Sequence, residues 1–395
     1  MKKINKIIKS GLCLGCGLCE TISTKEKCEM KLNDSGFYYP FFKQAISKEQ
    51  KRQILNCCPA IHVESSKNTG TWGNMEQIKQ AWSADPIIRK KGSSGGVLST
   101  LAIYLLENEK VNGILQVGVK SGSYLFNQLK VSKTKEDVLQ NAASRYAPAL
   151  VFNELNEILN ASNDNYAFIG KPCDIAGIKN FLKEFPIYKN RIKYFLTLFC
   201  AGMPSYNGTH EVLKLSGNNE KPVSLKYRGD GWPGLFEAQY CNKPPFQMSY
   251  NDSWGKVLGK HLGLRCKICP DGIGLLADIS VGDSWNTKDG YPDFEESDGR
   301  SFVMIRTKIG LDLFNDVIKK QQLVSQDLII DKIAEMQQYQ YQRRLIVGYR
   351  ILPVQIMTGM LLKFKGLGIQ KLMQQANKKT GLKNMLGTAK RFIKN

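Results

Sequence analysis

The stretch Tyr166-Ala167-Phe168-Ile169-Gly170-Lys171-Pro172-Cys173-Asp174-Ile175-Ala176-Gly177-Ile178 decides the fold class. A short apolar run stops at Gly170. Pro172 then suits the first turn of a helix that continues toward Lys183. A second apolar run, Tyr194-Phe195-Leu196-Thr197-Leu198-Phe199, ends at Cys200-Ala201-Gly202. Strand, helix and strand in that order predict a parallel pair in an α/β domain. Cys173 and Cys200 then lie at the carboxyl ends of neighbouring strands, the edge where open α/β sheets hold ligands.

Working outward, Gly113-Ile114-Leu115-Gln116-Val117-Gly118 reads as a further strand. Downstream, Cys266-Lys267-Ile268-Cys269 precedes Ala277-Asp278-Ile279-Ser280-Val281-Gly282-Asp283. A C-x-x-C turn supplies two adjacent thiolates and, with Cys173 and Cys200, completes a set of four suited to an iron–sulfur cluster. The alternatives are a lone redox pair or a small zinc knuckle. Asp278 and Asp283 are open to three roles: capping, binding a flavin ribose, or orienting the cysteine loop.

At the other end stands Cys13-Leu14-Gly15-Cys16-Gly17-Leu18-Cys19. C-x-x-C-x-x-C is most of the bacterial ferredoxin run, whose remaining cysteine precedes a proline. Three thiolates on one loop reach three corners of a cubane. Gly15 and Gly17 let the backbone curl and aim amides at sulfur. Cys58-Pro59 offers the fourth ligand, with Cys28 the runner-up. Zinc sites pair two knuckles or use histidine, and none of His62, His210 and His261 lies in this run, so a single 4Fe-4S cluster is the reading for residues 1–64.

Residues 65–80 read as a linker, with Lys67 to Asn74 polar and Gly-containing. Arg89-Lys90-Lys91-Gly92-Ser93-Ser94-Gly95-Gly96 then opens the apolar helix Val97 to Leu106. Amides at such a start favour phosphate, and bare glycines admit close approach. The plainer alternative is a flexible connection. The loop is neither a Walker motif nor G-x-G-x-x-G. Asn141-Ala142-Ala143-Ser144-Arg145-Tyr146-Ala147-Pro148 carries one cation and one ring: Arg145 either holds an anionic cofactor or pairs on the surface.

At 395 residues the chain has room for two or three domains. The start lacks the apolar core of a secretory signal, and no run approaches the roughly 18 apolar residues of a span, so a cytoplasmic location with reduced thiols is expected. The net charge of +21 is spread along the chain without a nucleic-acid motif, which points away from nucleic acid; anionic cofactors would offset part of it. Residues 329–395 read as a helical, basic tail, either packed on its own domain or lying against an anionic membrane or a partner.

Taken together, the glycines Gly95-Gly96, Ser144-Arg145-Tyr146, Pro172-Cys173, Cys200-Ala201-Gly202, Cys266-Lys267-Ile268-Cys269 and Ala277-Asp278-Ile279-Ser280 resemble the coenzyme F420 hydrogenase/dehydrogenase beta-subunit family. The resemblance runs from about Trp82 to Thr307, preceded by a ferredoxin-like module that many members carry. It implies a mixed α/β domain, with a flavin-binding part over 81–160 and a second-cluster part over 161–328. It further implies FAD near Gly92, Ser93, Ser94, Gly95, Gly96, Ser144, Arg145 and Tyr146, and a second 4Fe-4S cluster on Cys173, Cys200, Cys266 and Cys269. Lys171 joins the candidates for holding an anionic cofactor. Lys171 and Asp174 flank Cys173 where members often carry a small or apolar residue and glutamine, a departure that bears on F420 as substrate. Tyr227-Arg228-Gly229-Asp230-Gly231-Trp232-Pro233-Gly234 looks most like bacterial members associated with exopolysaccharide synthesis. The expected function is an oxidoreductase moving electrons from a ferredoxin or another subunit through two clusters to FAD and a small-molecule acceptor. An electron-transfer subunit of a larger complex and a zinc-stabilised basic binding protein are the other readings.

Overall fold

The computed structural model describes residues 1–66 and 70–394. At its centre lies a nine-stranded mixed sheet, in the order Leu323–Asp327, Gln77–Ser83, Ser301–Ile305, Ile279–Asp283, Ile192–Leu198, Tyr166–Gly170, Gly113–Val119, Asn127–Ser132, Ala149–Leu150. The four strands 113–119, 166–170, 192–198 and 279–283 are parallel neighbours. Strand 301–305 runs antiparallel to 279–283, and 77–83 antiparallel to 301–305, so 77–83 again points the same way as the parallel set. The fold is therefore mixed α/β. Helix Pro172–Glu184 makes the crossover between 166–170 and 192–198, starting at Pro172.

Both faces of the sheet are covered, which is why its central strands carry apolar residues on both sides. Leu115 and Phe168 face a core shared with Phe152 and Phe181. Their neighbours Ile114 and Ala167 face the other side, against Leu101 and Leu105 of helix Val97–Glu107. Each such Leu or Phe contributes roughly 1.5–3 kcal/mol on burial.

The cysteine-rich N-terminal stretch is joined to this core. A hairpin of Cys28–Leu32 and Tyr38–Phe42 leads to helix Lys48–Cys57. That helix starts on a capping box, Ser47 with Gln50, and stops at Cys58-Pro59, where proline cannot continue it. The Cys13–Cys19 loop rests on residues 149–153: Phe152 N–H donates to Cys16 O at 2.9 Å, and Leu18 and Ile22 enter the core around Phe152.

Two expectations change in detail. Residues 67–69 of the expected linker lie outside the described residues, but the rest is anchored: Trp72 is buried against Phe199, and Arg306 Nη1 donates to the carbonyls of Trp72 and Asn74 at 2.9 and 3.2 Å. One indole overrides a polar, glycine-containing context. The expected helical tail is largely helical, over Gln338–Thr358, Ile369–Gln375 and Lys378–Lys394, yet strand Lys363–Lys365 pairs in parallel with His62–Glu64. The C-terminal region thus clamps the N-terminal one. Among the described residues, no helix is long and apolar enough to cross a membrane.

Candidate functional site

Strand direction concentrates the chemistry-bearing residues on one edge of the sheet. Strands 166–170 and 192–198 deliver Cys173 and Cys200 just beyond their carboxyl ends. The short helix Leu264–Lys267 and the turn after it bring Cys266 and Cys269 to the same place. The turn is held by Asp271, whose carboxylate accepts from the amides of Ile273, Gly274 and Leu275 at 2.9–3.2 Å. All four thiols line one cavity, with Lys171, Asp174, Arg265 and Arg343 on its wall. Met203 N–H donates to Cys266 Sγ at 3.4 Å. Burial raises the Cys173 thiol well above its usual range and the Cys200 thiol to about 12.

A second cavity is lined by Cys13, Cys16, Cys19 and Cys58. Gly15 has φ +64°, and a Cβ there would lie 2.5 Å from Tyr38 O; at Gly17, φ is +94° and a Cβ would meet Asn153 N at 2.7 Å. Only glycine permits this curl. Gly15 N–H donates to Cys13 Sγ at 3.4 Å, and amides of Ala60 and Ile61 stabilise the Cys58 thiolate against the larger effect of burial, which raises it. Cys28 is buried in its strand and is not on the cavity wall, and Cys57 lies against Asn180 O at 3.9 Å. Cys241 is an exposed thiol in a bend away from both cavities. Among the described residues, no three His, Cys, Asp or Glu side chains converge as a single ion requires. The eight thiols ring two cavities instead.

Leu14 and Cys16 belong to both cavity walls, so the two sites are immediate neighbours. Two buried arginines brace them. Arg265, beside Cys266, donates from Nε to Ala60 O at 2.7 Å and from Nη2 to Pro59 O at 2.8 Å, next to Cys58. Arg343 donates to Cys200 O at 3.0 Å and to Cys266 O at 2.9 Å. Burial opposes the Arg343 charge, yet Cys269, Tyr339, Cys200 and Cys266 raise its pKa. Neither arginine stands out in sequence. Arg265 precedes its C-x-x-C by one residue, a usable hint; Arg343 sits in Arg343-Arg344-Leu345-Ile346-Val347, where nothing marks it as facing thiols.

The glycine loop lies at the same sheet edge. Ser83 N–H donates to Gly95 O at 2.7 Å, and a Cβ on Gly95 would meet Ala81 O at 2.7 Å and Ser301 N at 2.9 Å. Gly96, with φ +73°, starts helix Val97–Glu107, and no side chain caps that start. Ser94 Oγ donates to Arg300 O at 2.9 Å. The second expected loop meets the first: Ser144 N–H donates to Ser93 Oγ at 2.7 Å. Arg145 is half-buried and pairs with no carboxylate. Its Nε donates to Asn127 Oδ1 and its Nη1 to Leu225 O, while Nη2 is buried without a hydrogen-bond partner. Burial without a carboxylate partner lowers its pKa, so an anion there would relieve it. Tyr146 packs on Trp254, with ring centroids 4.6 Å apart. Lys171 stands apart from these loops, on the four-cysteine cavity, with Nζ 2.7 Å from Asp174 Oδ2. Asp283 pairs bidentately with buried Arg228 at 2.7 and 2.8 Å and accepts from Trp232 Nε1, while Asp278 accepts from Phe195 N and Thr307 Oγ1. Both aspartates therefore serve structure.

The residues present fit the implied groups. Each cavity offers four cysteines and an amide aimed at sulfur, and the two joined loops offer an uncapped helix start at Val97 and, at Arg145, a buried guanidinium nitrogen without a partner.

Two family profiles match the chain: coenzyme F420 hydrogenase/dehydrogenase, beta subunit N-term, over residues 78–156, and the C-terminus profile of the same beta subunit over 163–330. Among curated relatives, a coenzyme F420-dependent sulfite reductase of Methanocaldococcus jannaschii is 24% identical over 356 residues, covering 86% of this chain and 51% of that protein. The chain thus spans about half of that relative's length. A coenzyme F420 hydrogenase subunit beta of Methanosarcina barkeri is 24% identical over 60% of this chain and 77% of its own. The F420-dependent formate dehydrogenase 1 subunit beta of Methanococcus maripaludis is 26% identical over 60% of this chain and 58% of its own. A chain of the F420-reducing [NiFe] hydrogenase complex from Methanosarcina barkeri superposes with a TM-score of 0.55 at 19% identity, over 72% of this chain and 96% of that one, a likeness of fold. The order of loops along the sheet edge and the two profile matches agree: this chain belongs to the coenzyme F420 hydrogenase/dehydrogenase beta-subunit family.

Proposed function

We propose that the chain is a flavin- and iron–sulfur-dependent oxidoreductase subunit. It takes electrons from a ferredoxin or a partner subunit and passes them to a small-molecule acceptor. The observation that carries this reading is the pair of four-cysteine cavities sharing Leu14 and Cys16. Cys13, Cys16, Cys19 and Cys58 would hold one 4Fe-4S cluster, and Cys173, Cys200, Cys266 and Cys269 the other. FAD would lie against Gly92 to Gly96 and Ser144 to Tyr146. Bound there, the clusters supply single-electron transfer and the flavin supplies hydride chemistry.

The chain's own residues prepare these sites. The eight cysteines are partly buried, and burial raises the thiols of Cys16, Cys19 and Cys173, so a cation such as iron facing them would favour the thiolate. Arg265 and Arg343 set positive charge on the wall of the Cys173/Cys200/Cys266/Cys269 cavity, and Arg265 also reaches the loop that carries Cys58. Arg145 Nη2, buried without a partner, and the uncapped helix start at Val97 would offer N–H donors to a pyrophosphate. Relatives named as beta subunits of hydrogenase and formate dehydrogenase support a partner subunit. The resemblance of Tyr227 to Gly234 supports a sugar-linked acceptor in polysaccharide synthesis, in a cytoplasmic setting. Anaerobic reconstitution tests the reading: about eight irons and one FAD per chain are expected, with brown colour. A colourless zinc protein without flavin overturns it.

A further inference from the structure

Residues 337–395 contain twelve lysines and arginines and no aspartate or glutamate. Helix Lys378–Lys394 packs one face on helix Gln338–Thr358. Gly381 lies against the Tyr349 ring, Thr388 is buried, and Asn384 Oδ1 accepts from Arg350 at 2.8 and 3.1 Å. At about 100° per residue, Leu382, Leu386 and Ile393 fall together on the opposite face. They are 51%, 66% and 74% exposed, and the exposed Lys379, Lys383 and Lys390 run along one side of this ridge. The basic character continues onto the first helix, Lys2–Lys9: the Lys6 ammonium lies 3.5 Å from where a Cβ of Gly359 would stand, between the exposed Met357 and Leu361.

We propose that this face docks the protein on an anionic lipid membrane, with helix Lys378–Lys394 lying in the headgroup plane and its Leu/Ile ridge directed into the lipid. Aliphatic side chains flanked by lysine, without carboxylates, match an interfacial amphipathic helix. A protein interface core is instead depleted in lysine and enriched in aromatics and arginine. The proposal does not rest on the redox reading.

Flotation of the full chain with phosphatidylcholine vesicles, with and without phosphatidylglycerol, tests it. Binding to the anionic vesicles is expected to exceed that to neutral ones by about tenfold or more, and to be lost near 1 M salt. The double variant Leu386→Ser/Ile393→Ser and the triple variant Lys379→Gln/Lys383→Gln/Lys390→Gln should each weaken it by about tenfold. Both change exposed positions, and an unchanged circular dichroism spectrum and urea midpoint show that the fold persists. Wild type that stays unbound on anionic vesicles overturns the proposal. So does equal binding by wild type and both variants. A dimer without lipid that Leu386→Ser/Ile393→Ser converts to monomer, or loss of an acidic partner subunit with flotation unchanged, would assign the ridge to protein contact and equally overturn it.

Discussion

Replacing Arg265 by Met should loosen the Cys58 loop selectively. The guanidinium is buried and makes two charge-assisted bonds, 2.7 Å to Ala60 O and 2.8 Å to Pro59 O, and stacks 5.0 Å over Phe364. Each such bond contributes about 1.5–3 kcal/mol, so the gross loss is roughly 3–6 kcal/mol. Removing a buried cation recovers part of its desolvation cost, and Met fills most of the volume. A net local loss of about 2–4 kcal/mol remains, or about 30- to 900-fold in the opening equilibrium. Hydrogen exchange reads this directly. Ile61 N–H and His62 N–H both donate to Cys58 O and report opening of that turn. Their exchange should accelerate by that factor, while Phe168 and Leu196 in the central sheet stay near wild type. Arg265→Lys should fall between, because an ammonium cannot span both carbonyls in the planar fork. Acceleration below about threefold at Ile61 and His62 would refute the idea that Arg265 ties the two cysteine loops together.

Other outcomes follow from the same geometry. Asp283→Ala leaves Arg228 buried without its carboxylate and should cost about 3–5 kcal/mol, read as a lower urea midpoint by the fluorescence of stacked Trp232 and Trp285. Arg145→Met should weaken FAD binding about 10- to 150-fold by equilibrium titration without altering iron content, because it removes one charge-assisted contact to phosphate. Cys58→Ser should lower iron from about eight to about four per chain, whereas Cys28→Ser should leave it unchanged, since Cys28 is off the cavity wall.

What could be read from the chain beforehand was local. Cysteine spacing grouped Cys13, Cys16 and Cys19, and proline after Cys58 ended a helix where a ligand was needed; the fold gathers these around one cavity. The crossover from Tyr166 to Phe199 was legible because strand, proline-started helix and strand are contiguous in sequence. What escaped was long-range. The strand Gln77–Ser83 lies between two strands more than two hundred residues downstream, and no local signal specifies that register. Lys363-Phe364-Lys365 forms a strand only because His62–Glu64 presents a free edge to it. Arg145 looked equally suited to the surface. Its burial depends on Asn127 and Leu225, which only the folded sheet brings close. Arg343 faces the thiols because the helix Gln338–Thr358 folds back across them, again a tertiary fact.

The central claim is that two separate inorganic clusters sit side by side in this polypeptide. Electron paramagnetic resonance of dithionite-reduced protein tests it most directly, comparing wild type with the double variant Cys173→Ser/Cys266→Ser. Wild type should show two cluster signals broadened by each other's proximity across Leu14 and Cys16, and the variant should keep one of them, sharpened. Reduced wild type with no cluster resonance, or a variant spectrum identical to wild type, would contradict it.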